Sequence, residues 1–146
     1  MSRSSRVMRC RPSDVWAVLA DGWSYGLWVV GAARVRDVDP GWPDAGAGIH
    51  HSVGVWPALV HDTTRSTGAE APHRLQLRAQ AWLLGGAAID IRVEPHDQGC
   101  VVTIDERLDS GPAALVPSLV QGPALMWRNS ETLRRLSFIA EGRSRP

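Results

Sequence analysis

The sequence lacks most of the features that commit a chain to a redox, secreted or membrane role. Cys10 and Cys100 are its only cysteines, and two thiols so far apart form neither a metal-binding spacing nor a redox motif. We expect both to be buried thiols in a reducing compartment. The polar N-terminus has no apolar run typical of a signal peptide, and no stretch of about eighteen apolar residues occurs. These absences predict a cytoplasmic protein without stable membrane insertion.

The sequence also has little net charge. Its formal charge is +1, and all 16 of its basic residues are arginines, interspersed with Asp and Glu. Without a dense basic block to neutralise phosphates, nucleic acid is not expected as a partner. The 146 residues are 44% hydrophobic and 21% charged, values typical of a soluble globular protein. The length predicts a single domain over residues 1–146, with an ordered core at about residues 5–141.

No short motif identifies a reaction. The chain has no phosphate-binding glycine loop, no Gly-x-Ser-x-Gly elbow, no His-Glu-x-x-His and no dinucleotide fingerprint. Nucleotide chemistry and zinc hydrolysis are therefore unsupported, and no cofactor is predicted. His50 and His51 resemble a metal pair, but neighbouring residues of a strand point to opposite faces and cannot chelate one ion. No metal site is predicted.

A long amphipathic helix is the clearest element that the sequence does contain. It is predicted over Pro123–Ala140, with Pro123 at the first helical position and Gly142 at the exit. Asn129 lies within its apolar stripe, where an amide is either hydrogen-bonded in a core or faces a cavity. The stripe consists of Leu125, Met126, Thr132, Leu133, Leu136, Ile139 and Ala140.

The N-terminal part of the chain predicts short elements. Ser5–Cys10 is typical of a strand, and Pro12 opens a helix that ends at Gly22. Residues 23–28 allow a single helical turn. A strand follows over Ala32–Val38 and is closed by a turn rich in Asp, Pro and Gly.

From Ala47 to Asp109 the apolar residues recur with a period of two, which predicts antiparallel strands. A three-residue loop Leu84-Gly85-Gly86 sets Ile89 opposite Ala81 and keeps the apolar residues of both strands on one face. In the next hairpin Val93 pairs with Val102 and Ile91 with Ile104. This register brings Glu106 to the inward face opposite Ile89, as a candidate buried carboxylate.

The strand that carries the two histidines is less clearly oriented. Ile49, Val53 and Val55 form its apolar half, which would take His51 inward together with Val60, Asp62 and Thr64 of the next strand. The other face would carry His50, Ser52, Trp56, His61 and Thr63. A single bulge would reverse this assignment.

The predicted order is strand, helix, short helix, six antiparallel strands and a long C-terminal helix, an α+β fold. In this order the chain resembles the SRPBCC superfamily of START-like and birch-pollen-allergen-like proteins, in its polyketide cyclase/dehydrase and lipid-transport branch. The resemblance covers about residues 5–141. It is carried by residues 12–16, 31–36, 48–57, 127–129 and 133–136. It implies a helix-grip fold, in which a seven-stranded curved sheet wraps around the C-terminal helix and encloses a hydrophobic cavity.

Two functions remain open from the sequence. The first is binding of a hydrophobic small molecule, such as a lipid or an aromatic polyketide, with transport or sequestration as its purpose. The alternative is a polyketide cyclase/dehydrase-like enzyme, or aromatase, that positions its substrate and transfers protons. A monomer or a homodimer is expected.

Each candidate site residue has a structural alternative. The candidate catalytic residues are His51, Asp62 and Glu106. His51 is otherwise a satisfied core histidine, and Glu106 either has a raised pKa in an apolar pocket or pairs with an arginine. The segment 111–123 is either a lid or an apolar cap on the core. The candidate ligand-binding residues are Leu77, Ala79, Ile89, Ile91, Ile104, Met126, Asn129 and Leu133.

Overall fold

The computed structural model describes residues 2–55, 58–81 and 85–144. The helices are α1 (Pro12–Leu19), α2 (Tyr25–Trp28) and α3 (Ser118–Ser144), with 3-10 turns at Gly22–Ser24 and Pro112–Leu115. The strands are β1 (Ser2–Met8), β2 (Ala32–Val38), β3 (Gly48–Val55), β4 (Ala58–Glu70), β5 (Arg74–Ala81), β6 (Gly85–His96) and β7 (Gly99–Leu108). The predicted order of elements is confirmed.

These strands form one antiparallel sheet in the order β1-β7-β6-β5-β4-β3-β2. Each of the strands β2–β7 pairs antiparallel with the next along the chain, and β1 pairs over its whole length with residues 100–106 of β7. Only β1 and β2 are therefore edge strands among the described residues. Together with α3, this curved sheet is the helix-grip arrangement that the resemblance implied.

Two predicted registers are confirmed. In the β6–β7 hairpin, Val93 pairs with Val102, Ile91 with Ile104 and Ile89 with Glu106. In the β3–β4 pair, His51 lies opposite Asp62 and is buried, so the strand is oriented as expected. Trp56, which the sequence places on the other face of its strand, lies outside the described residues.

The predicted β5–β6 register is wrong. Ile89 pairs with Leu77 and not with Ala81, because β6 begins at Gly85, which is opposite Ala81. The error is four residues, and an even shift leaves every side chain on its predicted face. The assignment of inward and outward residues therefore survives the correction.

The cause of that error is the role of Gly85 and Gly86, because the sequence pattern predicts both as turn residues. Gly85 has φ +112°, and a Cβ there would lie 1.9 Å from the carbonyl oxygen of Ser110. The amide of Gly86 donates a hydrogen bond of 2.9 Å to the Ser110 hydroxyl. Both glycines belong to the strand and permit the backbone after β7 to approach it closely.

The first strand and first helix differ from their predicted bounds. The strand β1 covers Ser2–Met8 and not Ser5–Cys10. Its inward positions include the buried Ser2 and Ser4, so it carries little apolar alternation to mark its start. The helix α1 ends at Leu19, before Gly22, which begins a 3-10 turn.

The C-terminal helix is longer than predicted at both ends. It begins at Ser118, and Pro123 lies inside it. Pro117 precedes the helix, and its carbonyl accepts hydrogen bonds of 2.9 Å from the amides of Val120 and Gln121. A proline inside a helix removes one hydrogen bond and crowds the carbonyl four residues before it, but in an exposed turn that carbonyl can tilt outwards and bond to water. The sequence pattern therefore placed the helix start one turn too late.

The face of α3 that packs on the sheet begins at Leu125. From there the buried residues are Leu125, Asn129, Thr132, Leu133, Leu136, Ser137 and Ala140. Met126 was placed in this stripe by the sequence, but its side chain is 52% exposed. Before Leu125 no residue of the helix is buried.

The two cysteines are buried and free, as expected. Burial raises the pKa of the Cys10 thiol to about 12 and also raises that of Cys100. Both thiols are therefore protonated at neutral pH and poor nucleophiles.

The packing of α3 gives a direct test of the fold. The side chain of Leu136 is 0% exposed, so Leu136→Ala should lower the free energy of unfolding by about 2–5 kcal/mol. Met126→Ala on the same helix should change it by less than about 0.5 kcal/mol. Urea unfolding of the two variants measures both values, and equal losses would contradict this packing.

Candidate functional site

A cavity of about 270 Å³ lies between the sheet, α2 and α3. Its walls come from β2–β7 and the two helices, and they are mostly apolar. The apolar or small lining residues are Val29, Val30, Gly31, Ala32, Ala79, Gly85, Gly86, Ala87, Ile89, Leu108, Ala113 and Leu125. Six polar side chains also line it, from Tyr25, His51, Asp62, Thr64, Glu106 and Arg128. A mostly apolar cavity with a few convergent polar groups is the usual form of a small-molecule site.

Three of the polar groups form a buried hydrogen-bonded chain. Nε2 of His51 lies 2.9 Å from Oγ1 of Thr64, and the Tyr25 hydroxyl lies 3.0 Å from the same oxygen. Strands β3 and β4 pair Ile49 with Thr64, which places Thr64 on the inward face beside His51. The threonine hydroxyl thus links an imidazole on the sheet to a phenol on α2.

Burial controls the protonation of this chain. It lowers the pKa of His51 to about 4, with smaller contributions from the charges of Arg36 and His50. Burial also raises the pKa of Tyr25 to about 12. At neutral pH the imidazole and the phenol are therefore both uncharged, and each can donate or accept a hydrogen bond.

Asp62 lies beside this chain on the same wall of the cavity. Its side chain is buried, and Oδ1 accepts a hydrogen bond of 2.7 Å from the backbone amide of Thr63. Desolvation raises the pKa of the carboxyl above its usual range, and that hydrogen bond only partly opposes the effect. A carboxyl group in this environment is suited to proton transfer.

Glu106 and Arg128 form the charged part of the cavity wall. Glu106 is 2% exposed, and its Oε1 accepts a hydrogen bond from Nη2 of Arg128. A buried carboxylate requires such a partner, because the desolvated charge would otherwise be very costly. The sequence allowed Glu106 either a raised pKa in an apolar pocket or a pairing with an arginine, and in the structure it pairs with Arg128.

A second, smaller void of about 20 Å³ lies deeper, beside the cavity. Its lining includes Asn129 of α3 and Trp28 of α2, together with Tyr25, Glu106 and Arg128, which also line the cavity. Asn129 is therefore placed next to the cavity and shares a boundary with Glu106. The sequence left open whether the Asn129 amide is hydrogen-bonded in a core or faces a cavity, and it did not indicate the tryptophan beside it.

The candidate ligand-binding residues divide into three groups. Ala79 and Ile89 line the cavity. Leu77, Ile91, Ile104 and Asn129 line the deeper void. Leu133 is buried in the core and lines neither space, and Met126 faces away from both. The three candidate catalytic residues His51, Asp62 and Glu106 all line the one cavity.

The sequence did not identify Tyr25 or Arg128 as site residues. Tyr25 lies in a four-residue helix without a periodic pattern, so its direction depends on where α2 packs. Arg128 falls outside the apolar stripe on a helical wheel, yet its long side chain reaches the buried carboxylate. The only available signal was the need of a buried glutamate for a cation.

The described residues give no indication of a metal site or a membrane span. Within residues 2–55, 58–81 and 85–144, no group of three or more His, Cys, Asp and Glu side chains is arranged to hold a metal ion. His50 points away from His51 and lies 3.0 Å from Asp39 through Nε2. No helix in the same ranges combines the length and apolarity needed to cross a bilayer.

The sheet, the long helix and the apolar cavity between them define a protein of the helix-grip fold. Residues 2–136 match the family model described as polyketide cyclase / dehydrase and lipid transport. Because this match spans most of the chain, the protein belongs to that family. A search of curated proteins found no match to the chain.

Solved structures agree on the fold. The di-domain ARO/CYC StfQ from the steffimycin biosynthetic pathway superposes with a TM-score of 0.73 at 15% identity, over 97% of this chain and 50% of that one. A Rhodobacter sphaeroides protein superposes with a TM-score of 0.74 at 20% identity, over 96% of this chain and 91% of that one. Ara h 8.0201 superposes with a TM-score of 0.72 at 10% identity, over 96% of each chain. The chain thus spans half the length of StfQ, and at these identities the likeness concerns the fold alone.

The low pKa of His51 predicts a pH dependence of stability. Its folded pKa of about 4 lies below the ordinary value of 6.5, so the unfolded chain binds this proton more readily. The stabilisation is complete above pH 6.5 and is lost as the pH falls towards 4. Between pH 7 and pH 4.5 the wild type should lose about 2 kcal/mol from this residue, and His51→Gln should not.

Urea unfolding at the two pH values measures this difference. Asp62 has a raised pKa and contributes in the opposite direction, but it is present in both proteins and cancels in the comparison. His61→Gln is the control, since His61 is exposed on the neighbouring strand. If the wild type and His51→Gln lost the same free energy of unfolding between the two pH values, the buried, neutral imidazole would be contradicted.

Proposed function

We propose that the protein binds a small hydrophobic molecule with one or two rings in the cavity between the sheet and α3. The observation that carries this proposal is the apolar cavity of about 270 Å³ into which six polar side chains converge. A chain of this size loses stability through unfilled internal volume. Five of the polar groups form two hydrogen-bonded sets, His51 with Thr64 and Tyr25, and Glu106 with Arg128. Polar groups fixed at two sides of the cavity favour a ligand held in one orientation.

The volume of the cavity favours a compact ligand. A dry protein cavity of about 150 Å³ accommodates benzene, and drug-sized ligands occupy about 300–1,000 Å³. A cavity of about 270 Å³ therefore suits one or two fused rings better than a long acyl chain. Sequestration or delivery of such a molecule is the corresponding biological role.

Two neighbouring alanines provide a matched test of binding. Ala87 is buried and lines the cavity, whereas Ala88 lines a depression on the outer face of the sheet. Ala87→Phe should fill the cavity and weaken the binding of naphthalene by at least about tenfold, and Ala88→Phe should leave it unchanged. NMR titration of the backbone amides measures both affinities.

Three outcomes of this titration separate the possibilities. Binding that is lost only in Ala87→Phe supports the proposed site. Equal affinities in both variants would place the ligand elsewhere, and no binding of naphthalene or of other two-ring compounds to the wild type would reject the proposal. Palmitate should bind more weakly than naphthalene, because its chain exceeds the cavity.

Catalysis by proton transfer is the second candidate function. It is favoured by the hydrogen-bonded chain of His51, Thr64 and Tyr25 beside Asp62, whose pKa is raised by burial. A neutral imidazole can accept a proton at neutral pH, and a carboxyl of raised pKa can return one. Aldol cyclisation removes a proton from a carbon next to a carbonyl and protonates the new alkoxide oxygen. Dehydration of the β-hydroxy ketone removes a second such proton and protonates the hydroxyl, which leaves as water.

The exchange of α-protons of 2-tetralone in D₂O tests this candidate. The wild type should accelerate the exchange, and His51→Gln or Asp62→Asn should reduce that acceleration by about a hundredfold. The exposed His61→Gln is the control, and circular dichroism of each variant confirms that it is folded. If neither substitution changes the exchange rate, the two residues do not transfer protons in this cavity.

A further inference from the structure

The deeper void beside the cavity is bordered by three residues that each carry a buried N–H group without a hydrogen-bond partner. They are Nε1 of Trp28, Nδ2 of Asn129 and Nε of Arg128. Trp28 is 3% exposed and Asn129 is 2% exposed, so solvent does not supply the missing acceptors. Three residues that carry such a group border one small space, whereas nearly all buried polar groups in native proteins are paired.

The size of the void fits a single oxygen atom. Its volume is about 20 Å³, and a space of about 10–15 Å³ is enough for one water molecule. An oxygen with two lone pairs can accept hydrogen bonds from two of the three donors. The volume and the unpaired N–H groups of Trp28, Asn129 and Arg128 therefore point to an acceptor oxygen as the occupant.

The void also adjoins the proposed ligand cavity. Tyr25, Val29, Ile89, Glu106 and Arg128 line both spaces, so a ligand in the cavity lies next to the three donors. Glu106 accepts from Nη2 of Arg128 and balances the charge of the guanidinium. The remaining donors thus face a region without net charge, which suits a neutral carbonyl oxygen.

We propose that Trp28, Asn129 and Arg128 form an oxygen-acceptor site that binds the carbonyl oxygen of a one- or two-ring ketone. This inference rests on the proposed binding function and specifies its ligand class. Water occupies the site when no ligand is bound, since it offers the same acceptor oxygen. A pure hydrocarbon makes no hydrogen bond to these donors and is bound less tightly. In a reacting ketone the same N–H groups would stabilise the negative charge of an enolate oxygen.

A matched pair of ligands tests the site. 2-Tetralone and tetralin have the same two rings and differ in one carbonyl group. The wild type should bind 2-tetralone at least about tenfold more tightly than tetralin. Trp28→Phe and Asn129→Leu each replace a side chain that carries one donor by an apolar side chain of similar shape. Each should therefore reduce the preference for 2-tetralone over tetralin to below about threefold while tetralin binding is retained.

Trp127→Phe is the control for the tryptophan substitution, because Trp127 is 68% exposed on the surface of α3. It should keep the full preference for the ketone. The indole N–H resonance of Trp28, assigned through Trp28→Phe, should shift when 2-tetralone is added and much less when tetralin is added. A purely structural role for Trp28 would not produce this difference.

The outcomes separate this inference from the proposed function. If neither compound binds, the proposed function fails. If both bind with equal affinity, or if the preference persists in both donor variants, the cavity binds ligand but the oxygen site is wrong. Crystal structures with and without 2-tetralone should show the carbonyl oxygen in place of a water molecule. A water that remains beside the bound ketone would overturn the ligand assignment.

Discussion

The structure depends on one constraint, which is that the long helix α3 is too narrow to cover the sheet on which it packs. The helix α3 packs most closely on β1, at one edge of the sheet, and α2 packs on β2, at the other edge. The strands between them present an inward face that neither helix covers completely. The cavity lies over these middle strands. An internal space of this kind is thus a direct result of how the helices are distributed, and it does not require any unusual local sequence.

The same arrangement explains why the polar groups of the site come from so many elements. Each middle strand contributes one or two inward side chains, such as His51 from β3, Asp62 and Thr64 from β4 and Glu106 from β7. Away from water these groups are costly unless they are paired. Thr64 pairs with Nε2 of His51 and with the Tyr25 hydroxyl at one side of the cavity, and Arg128 pairs with Glu106 at the other. The walls between these two polar regions are mainly apolar.

The sequence predicted the order of the elements and the face of nearly every strand, because the period of two is a strong and local signal. It was less reliable where glycine and proline have more than one role. Gly85 and Gly86 serve a close backbone approach inside a strand, and Pro123 lies within a helix and not at its start. Both errors shifted element boundaries or registers, yet the inward positions of His51 and Glu106 were correct because they depend only on the alternation along their own strands.

The pairing of site residues across elements could not be predicted in the same way. Whether α2 brings Tyr25 to Thr64 depends on the tertiary packing of a four-residue helix. Whether Arg128 reaches Glu106 depends on the length and path of a flexible side chain. Met126 failed as a ligand contact for a related reason, since a helical wheel gives the angle of a residue but not the point along the helix at which contact with the sheet begins.

That point is Leu125, and it divides α3 into two parts with different protection. The turns before it carry no buried side chain, while the turns after it are fixed in the core. Local opening of the first turns therefore breaks few tertiary contacts and has a low free energy compared with global unfolding. Amide hydrogen exchange should be fast in the first turns and slow after Leu125 within one continuous helix. Because Leu125 and Ala113 line the cavity, fraying at this end would admit a molecule to the interior while the core remains folded.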